Sequence, residues 1–67
     1  MNLRIRALRE DADLTQKEIA SYLHCDQSLY SKYERGERML PLDLAVKLAQ
    51  FYQVSLDYLV GLKKERD

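Results

Sequence analysis

Glycine and proline are scarce in this chain, and the scarcity limits the folds that it can adopt. Among 67 residues there are two glycines, Gly36 and Gly61, and a single proline, Pro41. Helix-favouring residues such as Leu, Ala, Lys, Arg, Glu and Gln are frequent. Since glycine and proline are the strongest interruptions of regular structure, the sequence predicts an all-α fold, a compact bundle of five short helices. A chain of this length holds one domain.

Apolar spacing and a capping pattern mark the first two helices. A first helix is predicted over about residues 2 to 12 on the helical spacing of three apolar residues, Ile5, Leu8 and Ala12. Thr15 and Glu18 have the spacing of a capping box, in which each side chain bonds a free backbone N–H of the first turn. The inner face of this second helix is predicted to contain Ile19, Ala20 and Leu23.

Two residue types with opposite roles delimit the third helix. Asp26 is a preferred N-cap residue, and Gly36 is the preferred residue after a helix end. The helix between them is predicted to end at about Arg35. Its tyrosines Tyr30 and Tyr33 lie three apart and are predicted to face the core.

The fourth helix, predicted to open at Pro41, is apolar on more than one face. One stripe contains Leu42, Ala45, Ala49 and Tyr52, and a second contains Leu44, Leu48 and Phe51. A helix that is apolar most of the way round is buried by something. The second stripe, together with Leu56, is therefore predicted to be a dimer or partner surface.

The end of the chain is predicted to hold a short fifth helix and a tail. Ser55 is placed to cap that helix, Asp57 lies in its first turn, where negative charge is favourable, and Gly61 ends it. The domain is predicted to cover residues 3–62, followed by a charged C-terminal tail at 63–67.

The tripeptide His24-Cys25-Asp26 raises three interpretations. A structural zinc site needs four ligands, but the chain has one His and one Cys in total. A nucleophilic Cys needs a base that a third group holds in place, and no second His is available. The favoured interpretation is a turn, because His tolerates positive φ. Helix, short turn and helix form a helix-turn-helix unit over about residues 16–35.

Net charge and the lack of targeting signals limit the classes of protein to which the chain can belong. Lys plus Arg number 11 and Asp plus Glu number 11, so the net charge is zero, whereas nucleic-acid-binding domains are usually basic. The opening MNLRIRALRE lacks the apolar core of a signal peptide, and no apolar run could span a membrane. With one Cys, which fits a reducing compartment, these features predict a cytoplasmic protein. We expect no catalytic residues, no metal and no cofactor, because no suitable constellation of side chains appears.

The segment LTQKEIASYLHCDQSLYSKYERGER resembles the helix-turn-helix of the Cro and phage-repressor type, the xenobiotic-response-element family of bacterial regulators. The matching residues are Leu14-Thr15-Gln16, Glu18, Ala20, Gln27-Ser28, Ser31-Lys32 and Glu34-Arg35-Gly36. VSLDYLVGL, residues 54–62, resembles the closing helix of that family. The resemblance implies a lambda-repressor-like domain that binds double-stranded operator DNA, usually as a homodimer, with the third helix in the major groove.

The same resemblance suggests which side chains meet the bases. Gln27 and Ser28 open the third helix and would contact base edges, or else only solvate its first turn. Lys32, one turn further, would reach a guanine or a phosphate. Leu29 departs from the usual small polar residue, and would touch a thymine methyl, touch a partner, or have no role.

Other positions would hold the DNA backbone or the fold. Gln16 resembles the phosphate-binding Gln of the family. The full set of predicted backbone contacts is Thr15, Gln16, Lys17, Ser31, Arg35 and Arg38. Arg9 and Glu34 resemble a pair that ties the first helix to the end of the third. The full set of predicted structural residues is Arg9, Glu34, Ala20, Asp26 and Gly36.

Two functional hypotheses remain. The leading one is a small stand-alone transcriptional regulator, a repressor that binds DNA sequence-specifically. From Leu14 to Arg38, however, the numbers of basic and acidic residues are equal. The four basic residues are Lys17, Lys32, Arg35 and Arg38, and the four acidic residues are Glu18, Asp26, Glu34 and Glu37. A neutral recognition unit predicts weak non-specific binding. The alternative is therefore a protein-interaction module, such as an antitoxin or anti-repressor, that has lost DNA binding or combines it with binding to a protein.

Overall fold

The computed structural model describes residues 3–62 as five helices, so the all-α prediction is confirmed. The helices are α1 (Ile5–Asp11), α2 (Gln16–Tyr22), α3 (Gln27–Arg35), α4 (Leu42–Tyr52) and α5 (Leu56–Leu59). α2 packs on α3, and α4 packs on α5. The predicted tail at 63–67 lies outside the described residues.

The first helix is shorter than predicted at both ends. α1 begins at Ile5, because the backbone N–H of Arg4 donates to the carbonyl of Leu59, 2.9 Å away, which ties this segment to α5. Ala12 follows the helix as its C-cap and is exposed, so its predicted place in the apolar stripe is wrong. Ile5 and Leu8 are buried as predicted.

The starts of α2 and α5 follow the predicted signals, whereas Pro41, predicted to open α4, is the extended N-cap residue before Leu42. The capping box is complete: the Thr15 hydroxyl accepts from the Glu18 N–H at 3.1 Å, and the Glu18 carboxylate accepts from the Thr15 N–H at 3.0 Å. Ser55 Oγ accepts from the N–H of Tyr58 at 3.0 Å. Asp26 occupies the N-cap position of α3, but its side chain makes no capping hydrogen bond.

Each of the five helices is followed by a residue in the left-handed conformation: Asp13, His24, Gly36, Gln53 and Gly61. In each case, the next N–H bonds a carbonyl five residues back, as Val54 does with Ala49 at 3.0 Å. This is the long hydrogen bond of a Schellman motif, which satisfies carbonyls that a helix end leaves free. Gln53 was missed in the sequence, because Gln is not a residue type that usually takes positive φ.

Replacing Gln53 by Gly is expected to stabilise the fold by up to about 1 kcal/mol, because the side chain at φ 57° carries a steric cost that glycine avoids. Urea unfolding of Gln53→Gly against the parent measures the change. The matched control is Gln50→Gly, inside α4 and also exposed, which should lose about 1 kcal/mol. A loss of stability in both variants would contradict the left-handed conformation of Gln53.

The core lies where all five helices meet. Its central residues, all buried, are Ile5, Leu8, Ile19, Ala20, Leu23, Tyr30, Tyr33, Ala45, Leu48, Tyr52, Val54 and Leu59. The inward direction predicted for Tyr30 and Tyr33 is confirmed. In α4, however, Leu42 is 69% exposed, whereas Leu48 is fully buried. The two predicted stripes of α4 are therefore assigned wrongly at these two positions.

The described helices also bear on membrane association. None of those within residues 3–62 combines the length and apolar character that are needed to cross a bilayer.

Candidate nucleic-acid interface

The tripeptide between α2 and α3 is a turn, as its favoured interpretation predicted. His24 has a φ of 57°. Its N–H donates to the carbonyl of Ser21 at 3.1 Å, and the N–H of Cys25 donates to that of Ala20 at 3.0 Å. These two hydrogen bonds end α2 and hold the short turn that leads to α3. Ala20, 1% exposed, lies buried in α2.

Cys25 has the properties of a packing residue. Its side chain is half-buried against the core. Burial, followed by the nearby negative charge of Asp26, raises the pKa of the thiol. An activated nucleophile needs the opposite shift. Among residues 3–62, no group of three or more His, Cys, Asp or Glu side chains is arranged to hold a metal.

One shallow concave surface collects most of the residues singled out in the sequence. We call it the α3 face. It is lined by Gln16, Asp26, Gln27, Ser28, Ser31, Lys32 and Arg35. Three of the four predicted base-contacting residues and three of the six predicted backbone-contacting residues therefore lie together. The surface carries amides, hydroxyls and two cations, which are groups that bond base edges and phosphates.

Leu29 does not share this surface. It precedes the buried Tyr30 in α3 and is half-buried, packed against the hydrophobic core. Its position beside the inward stripe of α3 turns part of the side chain to the core. A thymine contact from Leu29 remains a prediction.

The charge of the α3 face differs from that of the whole segment. Among its lining residues, Lys32 and Arg35 carry positive charge and Asp26 carries negative charge. Glu34 is withdrawn from solvent, with a side chain only 3% exposed. The lining of the α3 face is therefore more basic than the balanced composition suggests, which favours phosphate binding.

Two acidic side chains near this face make local hydrogen bonds. Asp26 Oδ2 accepts from Ser28 Oγ at 2.9 Å. This bond replaces the predicted capping role of Asp26, since short polar side chains compete for neighbouring donors. Glu37 accepts from Arg35 Nε at 2.6 Å, and the hydrogen bond lowers the pKa of Glu37. Arg35 also donates to Ser31 Oγ.

Glu34 accepts four hydrogen bonds at the junction of α1, α2 and α3. Its Oε2 accepts from Arg9 Nε at 2.7 Å and from Tyr30 Oη at 2.6 Å. Its Oε1 accepts from Arg9 Nη2 at 3.2 Å and from Gln16 Nε2 at 3.0 Å. The Arg9–Glu34 tie is as the resemblance implied. Tyr30 and Gln16 were not expected to share the carboxylate.

These contacts determine the ionisation of Glu34. Burial favours the neutral acid, but the hydrogen bonds from Arg9, Tyr30 and Gln16 outweigh it and hold the pKa of Glu34 below its ordinary value. Burial, and then the bond to Glu34, raises the pKa of Tyr30, which keeps its phenol protonated. The carboxylate is therefore charged at neutral pH.

A second groove continues from the α3 face. It is lined by Arg6, Arg9, Gln16, Ser31, Glu34 and Arg35. Arg6 is exposed, and it was not selected as a candidate from the sequence. Its only signal in the sequence was the i,i+4 spacing from Glu10, and in the structure Arg6 Nε lies 3.4 Å from Glu10 Oε2. Gln16, Ser31 and Arg35 line both concavities, so the basic surface extends from α3 to α1.

The other predicted backbone-contacting residues lie outside the α3 face. Thr15 and Lys17 are exposed at the start of α2. Arg38 is also exposed, but it lines a mostly apolar groove with Leu3, Met39, Leu40 and Leu42. Gly36 ends α3 with a φ of 75°, as predicted.

The predicted partner surface is not one continuous exposed patch. Leu48 is fully buried in the chain's own core, so its assignment to that surface is wrong. Leu44 and Leu56 are half-buried against the core. Phe51 is 41% exposed and packs against Tyr22, with the two rings tilted and their centroids 4.7 Å apart. At the start of α4, Met39 and Leu42 are instead strongly exposed apolar side chains, at 89% and 69%.

The chain is similar to known regulators. The helix-turn-helix family model matches residues 5–59. The uncharacterized HTH-type transcriptional regulator YobD of Bacillus subtilis is 39% identical over 64 residues, which is 96% of this chain and 57% of YobD. The HTH-type transcriptional regulator ImmR of the same organism is 41% identical over 58 residues, 87% of this chain and 46% of ImmR.

A phage protein is related to a similar degree. The cryptic phage CTXphi transcriptional repressor RstR of Vibrio cholerae is 39% identical over 58 residues, 87% of this chain and 52% of RstR. The chain thus spans about half the length of the curated relatives it matches. The family match covers the turn, the α3 face and the Glu34 junction, and the chain belongs to the helix-turn-helix family of the Cro and phage-repressor type.

Proposed function

We propose that this chain binds double-stranded DNA sequence-specifically and represses transcription, with α3 in the major groove. The observation that supports this most directly is the α3 face, where Gln27, Ser28 and Lys32 line one surface with two cations and one anion. Its DNA partner would place the protein in the bacterial cytoplasm. The names of the relatives, which are regulators and a repressor, agree with this role.

Within this proposal, Gln27 reads adenine, and Arg6 and Arg35 bind the DNA backbone. A Gln amide can bond adenine N6 and N7 together, and Gln27 is exposed at the first position of α3. In this docking, the start of a recognition helix meets the base edges. Arg6 and Arg35 lie on the continuous surface toward α1, where a phosphate backbone would pass.

Binding to the DNA upstream of its own gene, compared with random duplex across a salt series, is expected to show a specific complex. Gln27→Ala should weaken the specific complex by about five- to 100-fold, the value of one bidentate base contact, and leave random binding unchanged. If Lys32 reads guanine, Lys32→Ala should have the same effect as Gln27→Ala. If Lys32 binds phosphate, Lys32→Ala should weaken binding to both duplexes and reduce the salt slope by about one.

Lys47, exposed in α4 and absent from the lining of both concavities, provides the matched control. Lys47→Ala should leave the specific complex unchanged. Equal and feeble binding of the parent chain to both duplexes would count against the proposal. A protein-interaction role would then be the better account.

We also propose that two copies bind together on a two-fold operator. The support is the exposed apolar pair Met39 and Leu42, which follows the end of α3 and lines a groove with Leu3, Leu40 and Val60. An exposed apolar groove of this kind is typical of protein contacts. The stoichiometry of the same DNA titration measures this, with two chains per operator expected.

A further inference from the structure

The hydroxyl of Tyr30 has no evident purpose in the core, yet it is hydrogen-bonded. Tyr30 is fully buried, and a phenylalanine would fill the same space without needing a polar partner. Instead, its Oη donates to Glu34 Oε2 at 2.6 Å, on a carboxylate whose other oxygen accepts from Gln16 at 3.0 Å. A buried residue of α3 is thereby linked to a side chain on the α3 face.

We infer that Tyr30 is a positioning residue for Gln16: its hydroxyl orients the Glu34 carboxylate, and the carboxylate orients the Gln16 amide toward the DNA backbone. The inference rests on the proposed function, in which Gln16 binds phosphate. It adds a residue that touches no DNA.

The chemistry of the amide supports this arrangement. The Nε2 of Gln16 carries two hydrogens, and Glu34 accepts one of them. Because the amide is planar, that bond also restricts the directions that the second hydrogen can take. Gln16 lines both the α3 face and the groove beside it, so the second hydrogen is available to an acceptor at that surface.

The charge balance allows a carboxylate at this place. An isolated carboxylate near a phosphate would repel it, but Arg9 contacts both oxygens of Glu34, at 2.7 and 3.2 Å. The ion pair is therefore neutral as a unit, and Glu34 acts as a hydrogen-bond acceptor with a fixed direction. A Gln side chain loses much rotamer freedom when it is ordered, and ordering it before DNA arrives lowers the cost of binding.

The first test uses the chain without DNA. In nitrogen-15 NMR spectra, the side-chain amide signals of Gln16 are expected to move toward those of a free Gln in Tyr30→Phe, while those of Gln27 on the same face stay in place. Tyr33→Phe is the matched control, because Tyr33 is buried in the same helix, and it should leave Gln16 unchanged. Unchanged Gln16 signals in a folded Tyr30→Phe would overturn the inference.

A second variant tests the other half of the inference, the bond from Gln16 to Glu34, whether or not Tyr30→Phe folds. Glu34→Asp withdraws the carboxylate by one methylene while it preserves the negative charge beside Arg9. The Gln16 amide signals should move in the same direction as in Tyr30→Phe. An ordered Gln16 amide in this variant would overturn the inference.

The second test measures the consequence for binding. The probe is a random duplex of about 20 base pairs, the length of two adjacent half-sites, at low salt, since a backbone contact is independent of sequence. Tyr30→Phe should weaken binding about three- to tenfold, the value of one hydrogen bond, and should have little further effect in a Gln16→Ala background. Fully additive effects would overturn the inference.

The two tests separate the inference from the proposed function. If the chain binds no duplex, the DNA-binding proposal fails, but the NMR comparison still reports whether Tyr30 holds Gln16. If the chain binds DNA and Gln16 does not respond to Tyr30, only the positioning role fails.

Discussion

Replacing Arg9 by methionine is expected to lower the free energy of unfolding by about 3–5 kcal/mol at neutral pH, the cost of removing one partner of a buried ion pair. The Glu34 side chain is only 3% exposed, and Arg9 supplies two of its four hydrogen bonds. Methionine preserves much of the volume and removes the charge. Since small domains have little stability to lose, the variant should be only marginally folded at neutral pH.

The pH dependence of this loss identifies its cause. In the parent chain, the folded pKa of Glu34 lies below the ordinary 4.5 of an unfolded Glu. Its stabilising effect is therefore complete above about pH 4.5 and disappears as the pH falls through the folded pKa. In Arg9→Met, burial should raise that pKa, so protonation relieves the unpaired charge. The difference between the two chains should shrink on acidification.

Urea unfolding at a series of pH values between neutrality and pH 3 measures both effects. The control is Arg6→Met, since Arg6 is 71% exposed in an i,i+4 pair with Glu10 and should change stability by no more than about 0.5 kcal/mol. A loss in Arg9→Met that is the same at every pH would show that Arg9 acts through packing alone.

Leu48→Ala is expected to cost about 2–5 kcal/mol, because Leu48 is completely buried and its removal leaves a cavity in the core. Leu42→Ala, in the same helix but 69% exposed, should leave the free energy of unfolding of the single chain within about 0.5 kcal/mol. Thermal and urea unfolding at low protein concentration measure both. A stable Leu48→Ala that has lost only self-association would restore the partner surface predicted from the sequence.

The local parts of the fold could be predicted because their causes are local. Thr15 bonds Glu18, and Ser55 bonds Tyr58, over three residues, so the residue types alone indicate these helix starts. His24 and Gly36 follow helix ends because few residues tolerate positive φ. Gln53 escaped prediction because the tertiary structure holds an ordinary residue in that conformation.

The same reasoning failed where a choice depended on packing. Leu42 and Leu48 are the same residue type in one helix that is apolar most of the way round, so periodicity could not tell which of them faces the core. Asp26 has the right type and position for a cap, but its Oδ2 accepts from the Ser28 hydroxyl and its side chain makes no capping bond. For the candidate site, the resemblance implied the Arg9–Glu34 pair, while the roles of Arg6 and of the Tyr30 hydroxyl became visible only in the structure.

The sequence by itself determined an all-α fold, the approximate ends of the helices and the family, because capping bonds, positive φ and motif register are properties of residues close together in the chain. Only the tertiary structure decided which apolar stripe of α4 is buried, how far the acidic residues are removed from the α3 face, and which side chains share Glu34. Gln16 and Glu34 are 18 residues apart, and Arg9 and Glu34 are 25 apart. Contacts over such separations exist only once the helices have packed. Packing also determines which groups are buried, and burial strengthens the electrostatic interactions and hydrogen bonds between them.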